Sequence, residues 1–143
     1  MTTNYGHRTG FVSIHVEEAH PALSVLTLVA TKDTYINAAA ATTNYGTDTQ
    51  LILAESAPNP RRVLLTFSLA ALPTSITAAR VKRATLKLYD LRFTSANPNN
   101  KFAEVHALTQ TWVEADVTWN IRSTGNNWTT TGGTYSTPKV RQQ

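Results

Sequence analysis

Cysteine is absent from this chain of 143 residues, and charged residues make up only 15% of it. Without cysteine there is neither a disulfide framework nor a thiol nucleophile. Long apolar runs are absent too: the most apolar window, residues 22–30, is far shorter than the roughly 20 residues of a membrane-spanning helix. Residues 1–20 lack the basic start, apolar run and cleavage site of a secretory signal. We therefore expect neither a membrane anchor nor classical secretion.

The residues that are present are typical of one all-β domain. Hydrophobic residues make up 41% of the chain, enough for a single core, and threonine and alanine are abundant. The net charge of +4 comes from 13 Lys and Arg residues that are spread along the chain. Nucleic-acid binding normally needs a cluster of basic residues, so it is not expected. A mild attraction to acidic surfaces, such as acidic polysaccharides, is compatible with this charge.

Two segments show the period-two pattern of strands with one face in a core. In residues 63–69 the odd-numbered positions are apolar and alternate with Leu64, Thr66 and Ser68. After a break at Pro73, residues 84, 86 and 88 are apolar and alternate with more polar neighbours. Both segments therefore predict half-buried strands.

Turn-forming residues separate further strand-like segments. Such segments are predicted near residues 10–17, 24–30, 34–36, 50–54, 62–68, 80–91, 103–108 and 117–119. Clusters of asparagine, proline and serine between them, as at residues 56–60 and 95–100, are typical of loops. Short strands separated in this way predict an antiparallel β-sandwich or jelly roll.

Five motifs, taken in order, carry a family resemblance. They are D-T-Y-I at residues 33–36, T-N-Y-G at 43–46, R-x-x-L-x-F-x-L-x-x-L-P at 62–73, A-x-L-x-L-Y at 84–89 and W-x-E-x-x-V-T-W-N at 112–120. The chain resembles the DNRLRE domain family over residues 30–133. The resemblance implies a jelly roll like that of carbohydrate-binding modules. Such domains occur in secreted wall-associated proteins, as accessory modules of polysaccharide-degrading enzymes and in phage virion proteins, and the resemblance implies no catalytic residue.

The predicted organisation has three parts. Residues 1–30 are an N-terminal extension with two strand-like runs, residues 31–136 are the DNRLRE-like β-sandwich, and residues 137–143 are a C-terminal tail. Members of this family usually continue with further strands at the C-terminal side. Because missing strands would leave unpaired sheet edges, we expect either the N-terminal segment or a neighbouring subunit to complete the sandwich.

Aromatic residues divide into structural and binding candidates. Glycan rings stack on Trp and Tyr, and the candidates for this contact are Trp128, Tyr45 and Tyr135. The burial of Trp128 is less clear than that of the other two tryptophans. The residues assigned to the structural motif are Arg62, Phe67, Trp112, Glu114, Trp119 and Asn120. Large aromatic residues usually supply core area, so Trp112 and Trp119 are expected in the core. Glu114 is expected to accept backbone hydrogen bonds at the turn before Val117.

Metal and catalytic motifs are weak. Asp33, Asn44 and Asp48 lie near a loop and carry oxygens of the kind that a structural calcium ion prefers. No other cofactor is expected. No pair of acids can be placed across a cleft from the sequence, so glycoside hydrolysis is not predicted.

Two functions follow, neither of them enzymatic. The first is a structural protein of the phage virion surface, a capsid decoration or a tail or fibre component, with other virion proteins or further copies of itself as partners. The alternative is an extracellular carbohydrate-binding module that mediates adhesion to a polysaccharide or cell surface. Neither hypothesis includes a nucleic-acid or membrane partner.

Overall fold

The computed structural model describes residues 10–17, 23–54, 58–74, 76–77, 81–88 and 104–137. The strands are β1 (Gly10–Glu17), β2 (Leu23–Asn37), β3 (Arg61–Phe67), β4 (Val81–Leu88), β5 (Ile121–Ser123) and β6 (Asn126–Asn127). A single 3-10 turn, Ala38–Ala40, follows β2. The prediction of an all-β chain is confirmed for these residues, and no helix among them is long and apolar enough to cross a membrane.

The strands form two sheets. The larger sheet has the order β3-β2-β1-β4, and the smaller one pairs β5 with β6. Strand β1 runs antiparallel to both neighbours, so that Phe11 lies opposite Val29 on β2 and opposite Lys87 on β4. The smaller pair is antiparallel as well. The antiparallel architecture is thus confirmed at the level of these sheets, while a complete sandwich or jelly roll stays a prediction.

The N-terminal segment supplies a strand of the larger sheet. Strand β1 lies between β2 and β4 of the same chain, so its backbone is hydrogen-bonded on both sides. Completion of a sandwich, by this segment or by a neighbouring subunit, stays a prediction. Strand β2 begins at Leu23 and continues to Asn37, so the predicted boundary between residues 30 and 31 falls inside a strand.

The chain divides into two compact units. Unit 1 comprises residues 1–33 and 65–89, and unit 2 comprises residues 34–64 and 90–143. In unit 1 a small cluster is centred on Leu28, with these partly buried neighbours: Leu26, Phe67, Leu72, Ile76 and Val81. In unit 2 a larger cluster consists of Ile36, Leu64, Trp112, Val117 and Trp128, with Leu108 and Trp119 packed against it.

Burial along β2 changes character within the strand. From Val25 to Val29, exposed residues alternate with half-buried or buried ones, as expected for a strand with one covered face. From residue 34 to residue 37 every residue is buried. This second part therefore has both faces covered, which explains why it carries residues as different as Thr34 and Ile36 with no exposed surface.

The predicted inward face of β3 was wrong. Its most buried residue is Leu64, from the even-numbered set, whereas Leu69 just beyond the strand is 58% exposed. The strand begins in unit 2 and ends in unit 1. Leu64 belongs to the unit 2 cluster and Phe67 packs in the unit 1 cluster. An even-numbered position therefore contributes to one core and an odd-numbered position to the other. On β4 the predicted inward face was wrong as well: Ala84 and Leu88 are exposed, and Leu86 is half-buried.

Three predicted strands do not form among the described residues. Residues 50–54 contribute a single bridge, between Ala54 and Arg61, and the described part of 103–108 contributes one bridge, between Leu108 and Tyr135. Residues 117–119 follow a turn in which the amides of Asp116 and Val117 both donate to the Val113 carbonyl oxygen, at 3.1 and 2.9 Å. Local hydrogen bonds of this kind compete with strand pairing.

The hairpin of β5 and β6 was missed by the sequence analysis. Its two-residue turn, Thr124 and Gly125, has Gly125 at a φ of 73°, a conformation that glycine adopts without steric cost. The Thr-Gly pair was the signal for this turn. Its flanking strands are too short and too polar to show a period-two apolar pattern.

Candidate functional site

A clamp on Asn44 connects two of the sequence motifs in unit 2. Its amide nitrogen donates to the carbonyl oxygens of Glu114 and Val117, at 2.8 and 2.7 Å. Its amide oxygen accepts the N–H of Gly46 at 3.0 Å. A Cβ at Gly46 would lie only 2.5 Å from the Glu114 carbonyl oxygen, so that position requires glycine. The T-N-Y-G motif therefore holds the loop of the W-x-E-x-x-V-T-W-N motif in place.

Trp112 and Trp128 both lie in the unit 2 core. They are 5% and 4% exposed, and the indole nitrogen of Trp128 donates to the Thr118 carbonyl oxygen at 3.0 Å. Trp128 borders a surface cavity of about 400 Å³ together with polar residues that include Thr118 and Asn120. The sequence left the burial of Trp128 undecided. Its low exposure means that its ring faces are not free for stacking on a sugar.

Tyr135 is the exposed aromatic ring among the three glycan candidates. Its side chain is 39% exposed, and the guanidinium carbon of Arg62 lies over the ring, 5.3 Å from its centroid. The same carbon lies 5.0 Å from the centroid of Trp119. Arg62 also donates from Nη1 to the Gly132 carbonyl oxygen at 2.7 Å. A cation is thus held beside two aromatic rings at a partly exposed position.

Gly132 makes this arrangement sterically feasible. Its φ is 84°, and its amide donates to the Trp119 carbonyl oxygen at 2.8 Å. A Cβ there would lie 2.6 Å from Cζ2 of Trp119 and 2.9 Å from Nη1 of Arg62. Any larger residue would push the ring and the guanidinium apart. The sequence marked this region only as a Gly-rich loop.

His106 packs against the Tyr135 ring. Its ring centroid lies 4.6 Å from that of Tyr135. Its Nδ1 donates to the Ser136 carbonyl oxygen at 3.0 Å, and its Nε2 lies 3.3 Å from a carboxylate oxygen of Glu104. These contacts fix the orientation of the imidazole ring. Tyr135, Arg62 and His106 are called the Tyr135 platform below.

Tyr45 belongs to a different cluster. Its ring stacks on Tyr35 with centroids 4.3 Å apart, and its hydroxyl accepts a hydrogen bond from Asn37 at 3.4 Å. The Tyr35 hydroxyl donates to Oδ2 of Asp48 at 2.9 Å. Burial first, and then the hydrogen bond to Asp48, raise the pKa of Tyr35 from 10.0 to about 12. One face of the Tyr45 ring is therefore occupied within the protein.

The calcium prediction finds no geometric support in unit 2. Asn44 already uses its amide oxygen and nitrogen on backbone groups, and Asp48 accepts from Tyr35. Among the described residues no group of three or more His, Cys, Asp or Glu side chains is placed to hold a metal ion. Asp33 belongs to unit 1.

The predicted glycan residues thus occupy three surroundings. Trp128 is in the unit 2 core, Tyr45 stacks on Tyr35, and Tyr135 is on the platform. Among the described residues, no ring contact is found between any two of these three side chains. Sequence reasoning missed His106, Asp116 and Gly132. The Asp116 carboxylate accepts a hydrogen bond from the backbone amide of Thr124 at 3.0 Å and so stabilises the turn between β5 and β6. The structural role predicted for the Glu114 side chain stays a prediction, whereas its backbone oxygen is part of the Asn44 clamp.

Comparison with known proteins gives one match. A scan against protein-family models matches carbohydrate-binding module family 96 over residues 24–141. Searches of curated proteins and of solved structures found no match. The narrower resemblance to DNRLRE domains stays a prediction. Because the matched span covers most of the 143 residues, the chain belongs to carbohydrate-binding module family 96.

Proposed function

We propose that this chain is a non-catalytic carbohydrate-binding module, that it has the complete jelly roll predicted from its motifs, and that the Tyr135 platform contacts the glycan. The family match supports the molecular function, since modules of this kind hold a polysaccharide and typically do not cleave it. The exposure of Tyr135 beside Arg62 is the observation that carries the choice of site.

The platform suits a sugar for physical reasons. A pyranose ring offers apolar C–H groups on one side and hydroxyl groups at its rim. The Tyr135 ring supplies an apolar surface with a hydroxyl at its tip, and aromatic residues of this type dominate contact energies in binding sites. Arg62 is held by Gly132 and by the rings, so little side-chain entropy is lost when its remaining N–H donors bind a ligand.

The family match favours the adhesion hypothesis over the virion hypothesis. It names a carbohydrate-binding module, which is the molecular function that the adhesion hypothesis requires. A place in a virion, an extracellular location and assembly with other proteins remain predictions from the sequence. Glycan adhesion on a virion would unite the two hypotheses, because host attachment also requires a binding surface.

The site is tested by affinity electrophoresis in gels that contain neutral or acidic polysaccharides. We expect at least one polysaccharide to retard the wild-type protein and the Tyr135→Ala variant to lose that retardation. Val113→Ala is the matched control, because it truncates another exposed apolar side chain of unit 2. If Tyr135→Ala is retarded as strongly as Val113→Ala, the platform is not the binding surface.

A further inference from the structure

An open, shallow polar cleft lies on the surface of unit 2 and shares no lining residue with the Tyr135 platform. It has a volume of about 430 Å³ and is lined by Thr47, Asp48, Thr49, Gln50 and Ile52. Thr47, Thr49 and Gln50 are exposed, while Asp48 and Ile52 are half-buried. The proposed function does not involve this cleft.

The carboxylate of Asp48 is oriented before any ligand arrives. Its Oδ2 accepts from the hydroxyl of Tyr35, a residue that is only 4% exposed and is itself packed against the Tyr45 ring. The backbone amide of Asp48 donates to the Tyr45 carbonyl oxygen at 3.1 Å. Within the described structure the side chain uses Oδ2 alone, so Oδ1 keeps its capacity to accept hydrogen bonds.

The lining specifies the chemistry of a ligand. One carboxylate oxygen, two threonine hydroxyls and one amide can accept from and donate to hydroxyl groups, and Ile52 adds a small apolar area. Asp48 is the charged residue among those that line the cleft, and its carboxylate disfavours an anionic sugar there, although Arg61 acts electrostatically on the neighbouring Tyr35 hydroxyl. An uncharged sugar with neighbouring hydroxyl groups fits these groups best.

We propose that this cleft, the Asp48 cleft, is a second saccharide-binding site that takes neutral sugar units through hydrogen bonds to the Asp48 carboxylate. The inference rests on the proposed glycan-binding function and extends it. Two sites on one chain raise the local concentration of a polysaccharide at the second site once the first is occupied. The Tyr135 platform carries a cation and the Asp48 cleft an anion, so the two sites select different sugar units.

The test is a nuclear magnetic resonance titration of backbone amides in the full chain. The probes are the methyl glycosides of glucose, galactose, mannose and xylose, with methyl glucuronide as the anionic counterpart. We expect saturable shifts at residues 47–52 with at least one neutral glycoside and weaker shifts there with the glucuronide. Signals from residues 104–106 and 132–136 report the Tyr135 platform separately, so failure of the two sites is distinguishable.

Two variants decide the role of the carboxylate. Asp48→Asn keeps an acceptor for the Tyr35 hydroxyl but turns an N–H₂ group and no charge toward the cleft, so we expect affinity at residues 47–52 to fall at least about tenfold. Thr49→Val replaces an exposed hydroxyl by a methyl group and leaves the Tyr35–Asp48 bond intact, which keeps the test valid if Asp48→Asn unfolds. Absence of saturable shifts with every neutral glycoside, or unchanged affinity in the variants, overturns the proposal.

Discussion

The three rings proposed from sequence for glycan contact differ in exposure, and this difference determines what each substitution does. Trp128 supports the unit 2 core and donates a hydrogen bond to Thr118, whereas Tyr135 lies at the surface. Sequence alone does not separate them, because both rings directly follow polar residues. Their burial depends on which distant residues pack against them, and only the fold provides that information.

Truncation of Trp128 and truncation of Tyr135 should differ in their effect on stability. Trp128→Ala removes a buried side chain and a buried hydrogen bond, so we expect the free energy of unfolding to fall by about 3–5 kcal/mol. Tyr135→Ala removes an exposed ring, and we expect a fall within about 1 kcal/mol. Urea unfolding followed by tryptophan fluorescence measures both. Similar losses in the two variants would contradict the assigned burial.

Gly132 and Gly125 form a matched pair for a second prediction. Both have positive φ, at 84° and 73°, so alanine strains the backbone at either position. Only at Gly132 does a Cβ also collide, with Trp119 and Arg62, since nothing lies within 4 Å of a Cβ at Gly125. We expect Gly132→Ala to lower the free energy of unfolding by about 1–3 kcal/mol more than Gly125→Ala. Equal thermal denaturation curves would show that the platform does not need the close approach.

Tyr35 makes stability depend on alkaline pH. Its pKa is raised to about 12 in the folded chain by burial and then by Asp48, against 10.0 for the ordinary side chain. Its contribution to stability is therefore fully present below pH 10. Between pH 10 and about 12 the unfolded chain releases this proton more readily than the folded chain, so that contribution is lost. Urea unfolding across this pH range should show a steeper loss in wild type than in Tyr35→Phe, and parallel losses would refute the assignment.

At the scale of elements, the Asn44 clamp shows what the sequence motifs encode. Asn44 was predicted as a metal ligand, but its amide joins its own loop to the backbone of Glu114 and Val117. The two motifs are therefore kept together by hydrogen bonds between residues about 70 positions apart, which no local pattern reveals. The same limitation explains why residues 117–119 were predicted as a strand: their alternation is visible, and the turn hydrogen bonds that override it are not.

A prediction for this element compares two substitutions. Asn44→Ala leaves two carbonyl oxygens without their donor, so we expect the free energy of unfolding to fall by about 2–4 kcal/mol. Asn44→Asp places a carboxylate against the same carbonyl oxygens and should be no more stable than Asn44→Ala at neutral pH. Partial recovery of Asn44→Asp in acid is expected because a protonated carboxyl regains one donor. Wild-type stability of Asn44→Asp at neutral pH would rule out the clamp.

For the whole molecule, the sequence predicted the strands of the larger sheet well and its connections less well. Segments β1, β3 and β4 were recognised because their apolar alternation is long enough to be read locally. The continuity of β2 across residues 31–33 was missed, because Thr31, Lys32 and Asp33 interrupt the apolar pattern. The pairing of β1 between β2 and β4 depends on long-range contacts. The sequence predicted only that either the N-terminal segment or a neighbouring subunit would supply the missing strands.

The function depends on the whole molecule as well. The family match shows a carbohydrate-binding module, and the exposed Tyr135 platform is the surface that we propose for its glycan. We therefore expect the intact chain to adhere to a polysaccharide and to leave it unbroken, which no single-residue variant tests.

The most direct measurement is a glycan array probed with the labelled wild-type chain, followed by an assay for new reducing ends on each glycan that it binds. We predict saturable binding to at least one glycan class with no new reducing ends. Absence of binding across neutral and acidic glycans would contradict the carbohydrate-binding account, and release of reducing ends would contradict its non-catalytic part.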